Sequence, residues 1–207
     1  GNFLEVPTDC PQRDERLGWT GDIQVFQSTA SFNMDIERFL EKWLVDLNDG
    51  IRSNGSYPVV APDILDYNGV AGWSDAAVIC PWGLYQRYGN RTILSHHYEN
   101  MCRWIEYQET TSTDLIRPAE GFGDWLATDA VEPRHGPTPR DLVATAYFAK
   151  TTELMVCIAE TLEKPEDAAH FRDLLGRIKQ AFLYEFMAPS GRLVGHTQSA
   201  YLPALDF

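Results

Sequence analysis

Between Thr29 and Asp49 the apolar residues Ile36, Phe39, Leu40, Trp43, Leu44 and Leu47 recur at i, i+3, i+4 and i+7 spacing, and Gly50 follows them. A chain whose clearest periodicity is that of the α-helix must bury one stripe of each helix against a neighbour. This run predicts an amphipathic helix closed by a glycine cap. Similar reading predicts helices over 74–88, which Pro81 should kink or start late, and over 92–110. Thr138, Pro139 and Asp141 supply an N-cap, a first-turn proline and an N3 acid, opening a helix that should reach Leu162. Pro165 opens a fifth helix with the stripe Phe171, Leu174, Leu175, Ile178 and Phe182, and a sixth begins near His196. The best strand candidate, 57–62, contains Pro58 and Pro62, which demote it. The expectation is an all-α fold of successive antiparallel helices, forming one domain over 1–207.

Composition narrows the partners. The chain has 207 residues, 44% hydrophobic and 23% charged, with a formal net charge of −13. That length can bury a substantial core, and that charge repels nucleic acid and anionic membranes. No run of 18 apolar residues occurs, so no transmembrane helix is expected. The N-terminus lacks a basic segment followed by an apolar one, so no signal peptide is expected, and a cytoplasmic setting is mildly favoured. Cys10, Cys80, Cys102 and Cys157 are scattered without a CxxC pair, which argues against zinc and for reduced thiols. His96 and His97 face different sides of a helix and read as solvated polar residues.

Three irregular stretches join these helices: the opening 28 residues, 51–73 and 113–137. Each carries a cluster of glycine, tryptophan and aspartate: GWTGD at 18–22, GWSDA at 72–76 and GFGDW at 121–125. Trp19, Trp73 and Trp125 thus stand beside carboxylates, whereas Trp43, Trp82 and Trp104 lie on expected helices and read as core. The combination suits carbohydrate. A sugar packs its C–H face on an indole ring, its hydroxyls donate to carboxylates, and glycine allows close backbone approach. The stretch TDCPQRDERLGWTGD at 8–22 adds Glu15, a candidate general acid among other charged groups.

That stretch closely resembles the signature of the bacterial α-L-rhamnosidases of glycoside hydrolase family 78. The segments GWSDA, GDWL and GHTQSAYLPAL resemble the same family in the same order, so the likeness runs along the whole chain. The resemblance implies an (α/α)6 barrel of six helical hairpins, which removes terminal α-L-rhamnose with inversion and without a cofactor. It implies that Glu15 is the general acid, and that Asp9, Arg13, Trp19 and Asp22 line the rhamnose pocket. It implies the same for Trp73, Asp75, Asp124 and Trp125. The expected partner is a rhamnose-containing oligosaccharide or glycoside. The family's general base lies in a Trp-rich segment downstream of the region matching Phe207. The chain is therefore expected to be the first half of the barrel, inactive by itself and prone to self-association. Two alternatives stay open: another (α/α)6 glycosidase acting on glucosides or glucuronides, and a non-catalytic helical carbohydrate-binding protein.

Overall fold

A computed structural model describes residues 3, 5–8, 16–125, 127, 128, 130 and 136–206. It contains seven α-helices among them: α1 Thr20–Asn33, α2 Glu37–Asp49, α3 Ala76–Tyr88, α4 Arg91–Thr110, α5 Arg140–Thr161, α6 Pro165–Phe186 and α7 Gln198–Ala204. No β-strand forms among the described residues, only isolated bridges such as Trp19 with Val60 and Pro58 with Asn68. The all-α expectation is met. The chain divides into two compact units, 1–104 and 105–207, with the boundary inside α4.

In the first unit, α2 buries the predicted stripe, with Leu40, Trp43, Leu44 and Leu47 all inside. Removing each such side chain from water stabilises the fold by about 1.5–3 kcal/mol. The helix starts later than expected, at Glu37. Ile36 donates its backbone N–H to the Tyr88 hydroxyl (3.1 Å), and Asp35 Oδ1 accepts from Glu37 N (3.1 Å), which separates α2 from α1. Gly50 ends α2 at φ −84°, not in a left-handed turn. A side chain there would meet Pro58 Cγ at 2.9 Å, so close packing is what requires glycine. Gly89, at φ +75°, is the left-handed cap, closing α3.

Helix α1 begins inside the stretch expected to be irregular. Its inner face is Thr20, Ile23, Gln24, Gln27 and Ala30, whereas Val25, Phe26 and Phe32 point outward. Polar residues therefore fill the buried stripe, and hydrophobic periodicity cannot announce the helix. Gln27 Nε2 donates to the Ile79 carbonyl of α3 (3.3 Å), and Gly83 makes room for that amide. Pro81 lies within α3, which continues through it. The segment 57–61 is fully buried without being a strand. His97 is also buried, at 6% exposure, against the expectation of a solvated residue. Asn48 lies within hydrogen-bonding range of His97 Nδ1 and accepts from the Tyr57 hydroxyl (2.6 Å).

In the second unit α5 and α6, joined by 162–164, pack against each other, and α7 packs on α5. Leu142, Ala146, Phe182, Phe186, Leu193 and Ala200 form the core cluster. By length and composition α5 could cross a membrane, but it is buried on nearly every side, as the central helix of a packed unit is. Thr138 is not the N-cap of α5. The helix starts one residue later, after Pro139, and the Thr138 hydroxyl bonds elsewhere. Pro165 occupies the first turn of α6 as expected.

Candidate active site

Asp9, Arg13 and Glu15 lie outside the described residues. The structure therefore bears on the later part of the first motif and on the other two.

The glycines of GWTGD each serve a contact. Gly18 accepts the Ala61 N–H (2.9 Å), and a Cβ on Gly18 would stand 2.3 Å from the Ala61 carbonyl oxygen. Thr20 donates both its N–H and its hydroxyl to the Val59 carbonyl, each at 3.0 Å. The buried segment 57–61 thus fixes the entry into α1 and holds Trp19 between its two anchors. Gly21 lies under the Trp73 indole, with its Cβ position 3.0 Å from Cε2 and Nε1. Asp22 is exposed in the first turn of α1, where the helix dipole favours a carboxylate. Two of the three motifs therefore meet: Trp73 packs over Gly21, which lies between Trp19 and Asp22 in the chain. Gln24 ties them further, donating Nε2 to the Gly72 carbonyl (3.2 Å).

Asp75 has a different environment. It is 0% exposed, its Oδ2 accepts from Gly72 N (2.7 Å), and its Oδ1 accepts from the Trp104 indole N–H (3.1 Å). Ser74 beside it accepts from Val70 N (3.1 Å) and donates to the Tyr57 carbonyl (2.7 Å). These bonds shape the turn that presents Trp73. Trp43 and Trp104 are fully buried, as expected of core tryptophans.

Gln24 escaped the sequence reading. It is 8% exposed, and its Oε1 is buried with no hydrogen-bond partner among the described residues.

In the second unit, GFGDW forms a turn in which Trp125 N donates to the Gly123 carbonyl (2.9 Å), with Gly121 and Gly123 at φ +87° and +60°. Trp125 is 44% exposed and meets the edge of Phe122, with centroids 5.3 Å apart. Asp124 accepts from the Thr138 hydroxyl at Oδ2 (2.8 Å) and from the Ser199 hydroxyl at Oδ1 (3.1 Å). No group of three His, Cys, Asp or Glu able to hold a metal ion occurs among the described residues. Burial pushes the Cys80 thiol well above its ordinary range, which suits an inert core thiol.

Comparison with known proteins places the chain in a family. The model of the bacterial alpha-L-rhamnosidase 6 hairpin glycosidase domain matches residues 1–207. An alpha-L-rhamnosidase of Streptomyces avermitilis is 50% identical over 207 residues, covering 100% of this chain and 19% of that protein. One from Formosa agariphila is 40% identical over 211 residues, covering 100% of this chain and 23% of its own. The crystal structure of the Streptomyces avermitilis enzyme complexed with L-rhamnose superposes with a TM-score of 0.91, over 99% of this chain and 19% of that one. The alpha-L-rhamnosidase of Aspergillus terreus is 33% identical, with a TM-score of 0.87 over 93% of this chain and 23% of that chain. The chain thus spans about a fifth of the length of the relatives it matches. With a helical fold, three tryptophan-bearing motifs and a family match along its whole length, the chain belongs to the bacterial alpha-L-rhamnosidase six-hairpin glycosidase family.

Proposed function

We propose that the protein takes part in hydrolysing terminal α-L-rhamnose from rhamnosides, with inversion and with Glu15 as general acid. The supporting observation is that Trp73 packs over Gly21 at the start of α1, where Gly21 lies between Trp19 and Asp22 in the same motif as Glu15 and shortly after it in the chain. This grouping occurs in a chain half identical to a rhamnosidase solved with L-rhamnose. The indoles offer faces to the C–H surface of the sugar, and Asp22 accepts its hydroxyl protons. Glu15 gives its proton to the glycosidic oxygen as the C–O bond breaks. Water adds to the anomeric carbon from the opposite face and loses its proton to a second carboxylate. The second unit carries its own exposed ring, Trp125, which we read as a further sugar contact.

The test is Glu15→Gln, assayed in the full-length protein on two rhamnosides. An alkyl rhamnoside has a poor leaving group, and its kcat/KM should fall about 10²- to 10⁴-fold. A dinitrophenyl rhamnoside needs little protonation and should lose far less. Equal losses on both substrates would remove the general-acid role. A first-formed product that keeps the α configuration by NMR would remove inversion. Turnover of aryl glucosides or glucuronides in preference to the rhamnoside would replace the substrate class.

A further inference from the structure

We propose that Asp124 is a positioning residue which holds Trp125 in place through hydroxyl groups from the starts of α5 and α7, and does not itself bind sugar. This rests on the reading of Trp125 as a sugar contact.

Donors and acceptors fix the direction of the bonds around Asp124. The backbone N–H of Ala200 can only donate, and it bonds Thr197 Oγ1 at 3.1 Å as the side-chain cap of α7. The Thr197 and Thr138 hydroxyl oxygens are 2.6 Å apart. Thr138 Oγ1 lies 2.8 Å from Asp124 Oδ2, and an ionised carboxylate can only accept. A fixed donor at one end and a fixed acceptor at the other leave a single order of protons. Ala200 N–H bonds Thr197, whose O–H bonds Thr138, whose O–H bonds Asp124. Ser199 closes the other side by donating to Oδ1 at 3.1 Å.

Steric fit agrees. A Cβ on Gly136 would stand 2.6 Å from the Asp124 Cβ, and one on Gly123 would stand 2.8 Å from Arg140 Cγ at the start of α5. The loop is thus pressed onto the α5 start from both flanks of Asp124. Thr138 is 2% exposed, while the next residue after Asp124, Trp125, is 44% exposed. The carboxylate faces inward to the clamp, and the adjoining indole faces outward.

The partners of Asp124 in this clamp are hydroxyls, which accept as well as donate. Asparagine can therefore replace Asp124: its Oδ1 takes the Thr138 proton, and its amide donates to Ser199 after the hydroxyl rotates. A carboxylate that bound sugar through its charge would not tolerate this change. The role of Thr138 is equally specific, because it is buried beneath the loop.

The experiment compares D124N, D124L, T138V, T138S and W125A in the full-length protein. It measures aryl rhamnoside kinetics, and hydrogen–deuterium exchange of the peptide covering 121–125. D124L and T138V should raise KM about 3- to 10-fold, as expected for a misplaced aromatic contact, with kcat within about twofold. They should also speed exchange at 121–125. D124N and T138S should stay near wild type in both readouts. D124N losing as much as D124L would overturn the proposal, and so would unchanged exchange in T138V. W125A tests the underlying reading separately: an unchanged KM would remove Trp125 as a sugar contact, while exchange would still judge the clamp.

Discussion

Gly18→Ala places a methyl group where the Ala61 carbonyl oxygen stands, 2.3 Å from the ideal Cβ. That is about 1 Å inside an ordinary carbon–oxygen contact. The obstacle is main chain on both sides, so a rotamer change cannot relieve it. Separating the segments breaks the Ala61 N–H to Gly18 bond (2.9 Å) and strains the neighbouring Thr20 N–H to Val59 bond (3.0 Å). Val59, Val60 and Ala61 are all fully buried, so water cannot replace these bonds. Breaking the first bond leaves two buried backbone groups, the Ala61 N–H and the Gly18 carbonyl, unsatisfied at about 1–3 kcal/mol each. The reduced entropy of the unfolded alanine chain offsets about 0.4–1 kcal/mol. The net expectation is a loss of about 1–5.5 kcal/mol, which for a chain of this size lowers Tm by about 2–22 °C. Urea unfolding followed by tryptophan fluorescence, with calorimetry, measures it. Gly176→Ala is the internal control: this glycine lies inside α6 with open space around its Cβ position, so alanine should stabilise by up to about 1 kcal/mol. G18A within 0.5 kcal/mol of wild type, a margin about that of an ordinary surface substitution, would refute the close-approach reasoning.

Other substitutions test the same unit. Trp104→Phe leaves Asp75 Oδ1 without its indole donor in a fully buried place, and should cost about 2–3 kcal/mol in urea unfolding. His97 should make stability depend on pH. Burial, and secondarily the charge of His96, lowers its pKa from 6.5 to about 4. The unfolded chain therefore takes up a proton first as pH falls below 6.5, so stability is complete above that pH. It should decline toward pH 4 by at most about 1.4 kcal/mol per pH unit. Glutamine does not titrate, so His97→Gln should lose less stability than wild type when urea unfolding is compared above and below that pH. Identical pH dependence in both proteins would remove the role.

The stripe Leu40, Trp43, Leu44 and Leu47 made α2 legible, because burying it is a local consequence of 3.6-residue periodicity. Pro165 marked the start of α6 for an equally local reason, a fixed φ suited to the first turn. Helix α1 was not legible. Its buried face carries Thr20, Gln24 and Gln27, whose hydroxyl and amide N–H groups donate to carbonyls at Val59, Gly72 and Ile79, and those partners lie far along the chain. Thr138 had the right residue type for a cap, but Asp124 and Thr197 drew its hydroxyl away from the helix.

The sequence by itself determined the helical class, most of the helices and the three motifs that pair tryptophan with glycine and aspartate, since these follow from periodicity and residue chemistry. Only the tertiary structure decided where these motif residues lie and what they bond. It set Trp73 over Gly21 at the start of α1, and turned Asp75 and Asp124 inward onto an indole N–H and hydroxyl donors. The physical reason is that a carboxylate is assigned by the donors that reach it, and in a folded chain those donors come from residues distant in sequence.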